Sequence, residues 1–177
     1  PASAAHLKDF RLAIEYKYLM RNAPGGVFIM PDFDDIRQFY GVIFVRRGLY
    51  RNGIFRFKMT LPKSYNSVNA QPIITFTPPI FNPLIDSETG VLDLRLDDSF
   101  KDWNPEKHFL VSALTFLKKI FYMKSFDNYP MVPDERARVL LMADKAEYLK
   151  LVEACVQESL MRADETDSKN TIIFTEP

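Results

Sequence analysis

The feature that most constrains the fold is the segment Ile54–Leu61, in which apolar and polar residues alternate strictly from Phe55 onwards. A period of two is typical of a β-strand with one buried face. Asn52-Gly53, directly before this run, predicts a hairpin because both residues tolerate a positive φ. Short apolar segments bounded by turn residues predict three more strands and an antiparallel meander of four. These segments are Val27–Met30, Phe39–Val45 and Ile73–Thr77.

Helical periodicity flanks this predicted sheet on both sides. Apolar residues that recur every three or four positions predict an amphipathic helix from His6 to Met20. A second helix is predicted over Glu106–Met123, with Asn104 as its N-cap and Pro105 at its first position. A third, long helix is predicted from Pro133 to Met161. The first helix is predicted from two apolar sets, Leu7, Phe10, Ile14 and Tyr18, and Ala13, Tyr16 and Met20.

The predicted helices and sheet indicate an α+β protein, and the length favours one domain followed by a polar tail, which we expect to be flexible at residues 161–177. Lysine plus arginine and aspartate plus glutamate both number 23, so the net charge is zero, which argues weakly against a nucleic-acid binder. No stretch approaches the roughly 18 apolar residues of a membrane span. The single cysteine, Cys155, excludes an internal disulfide. We therefore expect a soluble protein of the cytoplasm.

A motif-rich segment follows the predicted sheet. It comprises a turn from Pro79 to Asp86, then Gly90-Val91-Leu92-Asp93, then Trp103-Asn104-Pro105. The order and spacing resemble the active-site segment of ubiquitin-conjugating (E2) enzymes. The hairpin Tyr50–Phe55 is also similar to that family's Tyr-x-x-Gly-x-Phe hairpin. The resemblance covers about residues 7 to 160 and implies the E2 fold, with a four-stranded antiparallel meander, an N-terminal helix and C-terminal helices.

The same resemblance implies that the E2 chemistry is absent. Asn82 stands where the family's His-Pro-Asn turn has its histidine, Leu84 stands where the turn has its asparagine, and Asp93 stands where the family has its cysteine. Ubiquitin transfer needs a thiolate nucleophile and a hydrogen-bond donor near the oxyanion. A carboxylate at position 93 supplies neither, so we expect Asp93 to be a solvated or locally hydrogen-bonded residue. The chain is then an E2 variant and not an enzyme.

Cys155 is the alternative nucleophile, but its setting disfavours that role. Tyr148, Leu151 and Val152 lie on the same side of the predicted last helix as Cys155. A cysteine in an apolar site has a raised pKa and is usually inert. We therefore expect Cys155 to be structural.

Metal and cofactor sites are not predicted. His6 and His108 are far apart in sequence, and no Cys or His spacing fits a zinc site. An acidic run near position 93 lacks the Asp-x-Asp and glycine pattern of a calcium loop. We expect a solvated acidic surface there, formed by Asp93, Asp97, Asp98 and Asp102.

Within the E2 variants the chain is similar to the fused-toes (AKT-interacting) family. The segments that carry this similarity are Gly41–Tyr50, Phe81–Asp86 and Gly90–Asp93. The resemblance implies an adaptor that works with Hook-type coiled coils and an FHIP-type subunit, in a complex that links dynein to endosomal vesicles. It also implies attachment to endosomal membranes through these partners.

Two functional interpretations stay open from the sequence. One is this adaptor, and the other is a ubiquitin-pathway cofactor that pairs with an active E2 or binds ubiquitin. Phe126, Tyr129 and Met131 precede the last helix without a periodic place in a core, and we predict them as an exposed partner-binding loop. The same loop could instead cover the edge of the sheet.

Overall fold

The computed structural model describes the backbone of residues 2–163 and the side chains of residues 9–163. Residues 164–177, most of the predicted tail, lie outside the described residues. No helix among the described residues is long and apolar enough to cross a membrane. The elements are α1 (Ala2–Asn22), β1 (Val27–Pro31), β2 (Gln38–Phe44), β3 (Ile54–Thr60), β4 (Ile73–Phe76), β5 (Val91–Leu92), a 3-10 helix (Leu94–Leu96), α2 (Leu110–Lys119), α3 (Glu135–Ala143) and α4 (Lys145–Met161).

The strands form one antiparallel sheet in the order β1-β2-β3-β4-β5. The four predicted strands are confirmed, and β5 is an addition that the sequence did not predict. It pairs Leu92 with Ile74 of β4 and continues the Gly90-x-Leu-Asp motif. Two residues are too short a run for alternation to identify a strand. The fifth strand places Asp93 directly at the edge of the sheet.

Alternation along β3 places its apolar side chains against α2 and builds the core. Phe55, Phe57 and Met59 are all buried. The ring of Phe121, just after α2, stacks on Phe55 with centroids 5.2 Å apart. The same ring meets Phe76 of β4 edge-on at 5.7 Å. A phenylalanine cluster therefore joins the sheet to the end of α2.

The face that α1 turns to the core differs from the usual arrangement. An apolar stripe on a helix normally faces the core. Among the side chains of α1 that the structure describes, from residue 9 onwards, the buried ones are Leu12, Glu15 and Leu19. Part of the predicted apolar set is exposed instead: Phe10 by 63%, Ile14 by 54% and Tyr18 by 52%.

The start of α2 was predicted four residues too early. Asn104 does accept a hydrogen bond from the Glu106 N–H, at 2.9 Å, but it caps a turn that does not continue as a helix. The helix begins at Leu110, whose N–H donates to the Glu15 carboxylate of α1 at 2.7 Å. Tyr65 Oη donates to the same carboxylate at 2.5 Å. A distant side chain thus satisfies one of the free N–H groups at the helix start, which local sequence cannot show.

The predicted long third helix is two helices, because Asp144 interrupts it. The Asp144 N–H donates to Leu140 O at 2.8 Å and ends α3. The Asp144 carboxylate accepts the Glu147 N–H at 3.1 Å and starts α4. Aspartate competes with the helical backbone through such local bonds. The periodicity of apolar residues alone does not predict this break between α3 and α4.

Gly90 provides a test of the turn that leads into β5. It has φ +76, and a Cβ there would lie 2.1 Å from Phe76 O. We expect Gly90→Ala to lower the free energy of unfolding by at least about 2 kcal/mol, because strain and a clash combine. Chemical denaturation measures the loss. Gly25→Ala is the matched control, since its added methyl would meet only Lys118 Nζ at 3.7 Å. Equal stability of the two variants would contradict the described approach of Gly90 to β4.

Candidate functional site

The turn from Pro79 to Asp86 is fixed from inside by Asn82, which is fully buried. Its side-chain amide donates to Tyr50 Oη at 3.2 Å and to Ile120 O at 3.3 Å. Its carbonyl oxygen accepts the Leu84 N–H at 2.9 Å. An amide with these bonds is a structural clamp, and its oxygen and both donors are committed within the protein.

Tyr50 extends this buried network to two further elements. Its hydroxyl donates to Phe81 O at 2.6 Å and lies 3.2 Å from Tyr148 Oη of α4. Burial, followed by the proximity of Tyr148, raises the pKa of Tyr50 well above its usual value. Burial and the neighbouring Tyr148 therefore both favour the neutral form of the Tyr50 phenol. The central position of Tyr50 in this network is not predictable from the sequence, in which the only signal is the hairpin motif that contains it.

Cys155 of α4 belongs to the same assembly. The Phe81 N–H donates to its Sγ at 3.4 Å. Burial raises the pKa of the thiol, against the weaker opposing effect of that hydrogen bond. The side chain is only partly exposed and lies beside the Thr77–Ile80 strand end. The raised pKa and the limited exposure favour the neutral thiol, which is a poorer nucleophile than a thiolate. The structural role of Cys155 stays a prediction.

Leu84 lies in the hydrophobic core with no exposed surface. The turn is also held from the other side, because the Asp134 N–H before α3 donates to Pro83 O at 3.1 Å. Position 84 therefore turns its side chain into the protein. The methyl groups of Leu84 pack in the core. The side chain at position 84 therefore offers no hydrogen-bond donor to a ligand.

Asp93 is a hydrogen-bonded carboxylate that caps the 3-10 helix. It accepts the Arg95 N–H at 2.9 Å, and the Arg95 guanidinium donates to its two oxygens at 3.0 and 2.9 Å. These bonds from Arg95 lower the pKa of Asp93 despite partial burial. The carboxylate is thus ionised and already paired. It lies in an open groove lined by Asn69, Gln71, Asp93, Arg95, Leu96, Lys101 and Asp102.

The acidic run around Asp93 does not converge. Asp97 accepts the Ser99 N–H at 2.8 Å and the Tyr129 hydroxyl at 2.9 Å. His108 Nδ1 accepts the Asn104 N–H at 2.9 Å, which engages that nitrogen. Within the described part of the chain, no three His, Cys, Asp or Glu side chains are grouped so that they could hold a metal ion.

The loop before α3, which was predicted to expose three partner-binding residues, exposes only one of them. Phe126 is 3% and Tyr129 6% exposed, so the expectation that they are exposed is wrong. Tyr129 is held by Asp97 through its hydroxyl and by the Arg138 guanidinium through its carbonyl. These long-range bonds draw the loop onto the core. Met131 is 78% exposed and is the residue of the three that a partner can reach directly.

Asn82 gives a direct test of the buried network. We expect Asn82→Ala to lower the free energy of unfolding by about 3 kcal/mol, because the Leu84 N–H and Ile120 C=O lose a buried partner. Urea denaturation followed by circular dichroism measures the change. Asn128→Ala, in an exposed loop, is the control and should stay within about 0.5 kcal/mol of the parent. A neutral Asn82→Ala variant would mean that the turn does not depend on this amide.

Comparison with known proteins agrees with this geometry. The family model described as "Ubiquitin-conjugating enzyme" matches residues 11–156. The protein crossbronx homolog of Anopheles gambiae is 31% identical over 159 residues, which are 88% of this chain and 68% of that protein. The protein AKTIP homolog of Nematostella vectensis is 35% identical over 149 residues, which are 84% of this chain but 48% of that protein.

A solved structure titled "Novel Ubiquitin-Conjugating Enzyme" superposes with a TM-score of 0.65 over 85% of this chain and 93% of the other, at 20% identity. At that identity the match shows the fold alone. The α+β E2 fold predicted from the sequence is thereby confirmed. Together with the family model and the two relatives, it identifies the chain as a member of the ubiquitin-conjugating enzyme family, in its crossbronx and AKT-interacting protein branch.

Proposed function

We propose that this chain is a non-catalytic E2-like adaptor. In this role it holds a Hook-type coiled coil and an FHIP-type subunit in the cytoplasm, and through them links dynein to endosomal vesicles. The family resemblance supplies the partners. The residues of the degenerate site supply the argument that binding, and not ubiquitin transfer, is the activity.

The pairing of Asp93 with Arg95 is the observation that carries the proposal. Both carboxylate oxygens accept from one guanidinium, and the same side chain caps the 3-10 helix. A carboxylate that attacked a thioester would form a mixed anhydride, which lies well uphill. Leu84, buried in the core, offers no donor for an oxyanion. Neither group that ubiquitin transfer requires is supplied at these two positions.

An exposed apolar stripe on α1 supports a helical partner. We define the α1 stripe as Phe10, Ile14 and Tyr18, which recur at intervals of four residues and are each more than half exposed. Phe109 extends it, with its ring 6.4 Å from that of Tyr18. Apolar residues at this spacing fit the ridge of a second helix, which a coiled coil provides. Met131 remains a proposed contact from the loop before α3.

A transfer assay tests the absence of catalysis. Incubated with an activating enzyme, ATP and ubiquitin, the chain should give no adduct that dithiothreitol cleaves, while an active E2 in parallel should be charged. A non-reducing gel shows the result. A cleavable band that disappears on Cys155→Ser would overturn the proposal and make Cys155 the nucleophile.

Restoring the thiol should not restore the enzyme. We expect Asp93→Cys to discharge ubiquitin to free lysine about 10²–10³-fold more slowly than an active E2, because the oxyanion donor is missing. Adding Leu84→Asn should lower stability by several kcal/mol, since an amide would replace a fully buried leucine. Single-turnover discharge measures the rate, with Asp93→Ala as a control whose methyl side chain cannot be charged. Discharge at the rate of an active E2 would show that the site needs only a thiol.

The α1 stripe predicts where the coiled coil binds. We expect Ile14→Glu with Tyr18→Glu to weaken capture of a purified Hook-type coiled coil at least ten-fold, because charges replace the apolar contact. Val139→Glu with Met142→Glu is the matched control, since it alters exposed apolar residues of α3. Equal loss in both pairs would contradict the assignment. Recovery of an active E2 or ubiquitin, with no Hook-type binding, would favour the ubiquitin-pathway cofactor.

A further inference from the structure

Three chain segments converge around Tyr122 at one end of the sheet. The Arg46 N–H of the β2–β3 loop donates to Tyr122 Oη at 3.4 Å. Lys118 Nζ, near the end of α2, lies 6.0 Å from the centre of the Tyr122 ring. The turn before β1 completes the group, because the Phe44 N–H donates to Gly26 O at 2.9 Å and Gly25 lies against Lys118.

These segments carry a concentration of cations that we call the basic patch. Residues 46–53 and 115–126 contain several lysines and arginines and no aspartate or glutamate. Lys119 is not counted, because it faces Asp97 and helps to lower the pKa of that carboxyl. Among the residues that the structure describes, none of the counted cations forms a salt bridge. The basic patch consists of Arg46, Arg47, Arg51, Lys118 and Lys124.

The patch concentrates positive charge on one part of the surface of a chain that is neutral as a whole. The whole chain is neutral, with 23 basic and 23 acidic residues. The residues outside the patch therefore carry a net negative charge that equals the positive charge of the patch in magnitude. Such an asymmetry orients a protein in the field of a charged surface. A local patch of cations can therefore be attracted to an anionic surface even though the chain as a whole is neutral.

We propose that the basic patch is a contact surface for an anionic phospholipid bilayer. Four of its five cations are exposed, and they project from loops and from the chain after α2. Lys118 is partly buried, and a lysine in such a position can pack its methylene groups against the protein while its charge extends towards a headgroup. Leu49 and Tyr122, partly buried between the cations, provide apolar and amphipathic surface of the kind found at bilayer interfaces.

A planar lipid surface fits these observations better than other anionic partners. A duplex nucleic acid is bound by proteins with an overall basic excess, and this chain has none. An acidic peptide would be recognised by bidentate arginine contacts in a cleft. Here the three arginines are exposed residues of one hairpin loop, Arg46 to Asn52. A cluster of four to eight lysines and arginines is the pattern that anionic leaflets attract.

The proposal is tested by co-sedimentation of the full chain with vesicles. We expect binding to phosphatidylcholine vesicles that contain 30% phosphatidylserine at about 0.1 M salt, and no binding to phosphatidylcholine alone. Raising the salt to about 1 M should abolish binding, because the Debye length falls from about 10 to about 3 Å. Arg46→Glu, Arg47→Glu and Arg51→Glu together should weaken binding about a hundred-fold or more.

A charge-matched variant separates the patch from net charge. Lys63→Glu, Arg136→Glu and Lys150→Glu together change the charge equally at exposed positions elsewhere and should retain most of the binding. Circular dichroism verifies that both variants are folded, and Arg→Gln at the three patch positions replaces the Glu variant if it is not. Failure of the parent chain to bind anionic vesicles, or equal loss in both triple variants, would overturn the proposal. The vesicle assay contains no protein partner, so it does not depend on the adaptor function.

Discussion

The structure depends on the buried hydrogen bonds that join Asn82, Tyr50 and the backbone of Phe81. Asn82 connects the turn to the end of α2, and Tyr50 connects it to the β2–β3 loop and to Tyr148 of α4. Cys155 holds the N–H of Phe81 while Tyr50 holds its C=O. Buried polar groups are costly unless every member is paired. Here the pairing fixes one turn to three elements that are far apart in the sequence.

This arrangement explains how the E2 fold accommodates asparagine, leucine and aspartate at positions 82, 84 and 93. The clamp at position 82 faces inwards and requires hydrogen bonds, which an asparagine supplies. Position 84 also faces inwards, and a leucine there adds apolar burial to the core. Position 93 lies at the edge of the sheet, where a carboxylate can cap the 3-10 helix and pair with Arg95. Each of the three residues therefore stabilises its own environment through hydrogen bonds, apolar burial or an ion pair.

The sequence predicted the parts of the fold that depend on local pattern. Alternation identified β3 because each of its residues has a fixed face, and Asn52-Gly53 identified the hairpin. It did not predict the break at Asp144 or the late start of α2, because these depend on one side chain that bonds to a distant or competing backbone group. The burial of Tyr129 was not predicted for the same reason, because it depends on hydrogen bonds with Asp97 and Arg138. The motifs of the candidate site can be recognised in the sequence. The hydrogen bonds around Tyr50 cannot, because they join residues that are far apart in the chain.

The two proposed surfaces differ in physics and in position. The α1 stripe lies beside Phe109, directly before α2, and the basic patch lies around its last turn and the chain that follows. Ten residues of helix separate these ends by about 15 Å. Apolar contact is strengthened slightly by salt, whereas contact with an anionic surface is screened by it. A rise in salt that releases the chain from vesicles while a coiled coil stays bound would therefore show two independent surfaces. That independence is what an adaptor requires, because a partner on one surface must not compete with the other.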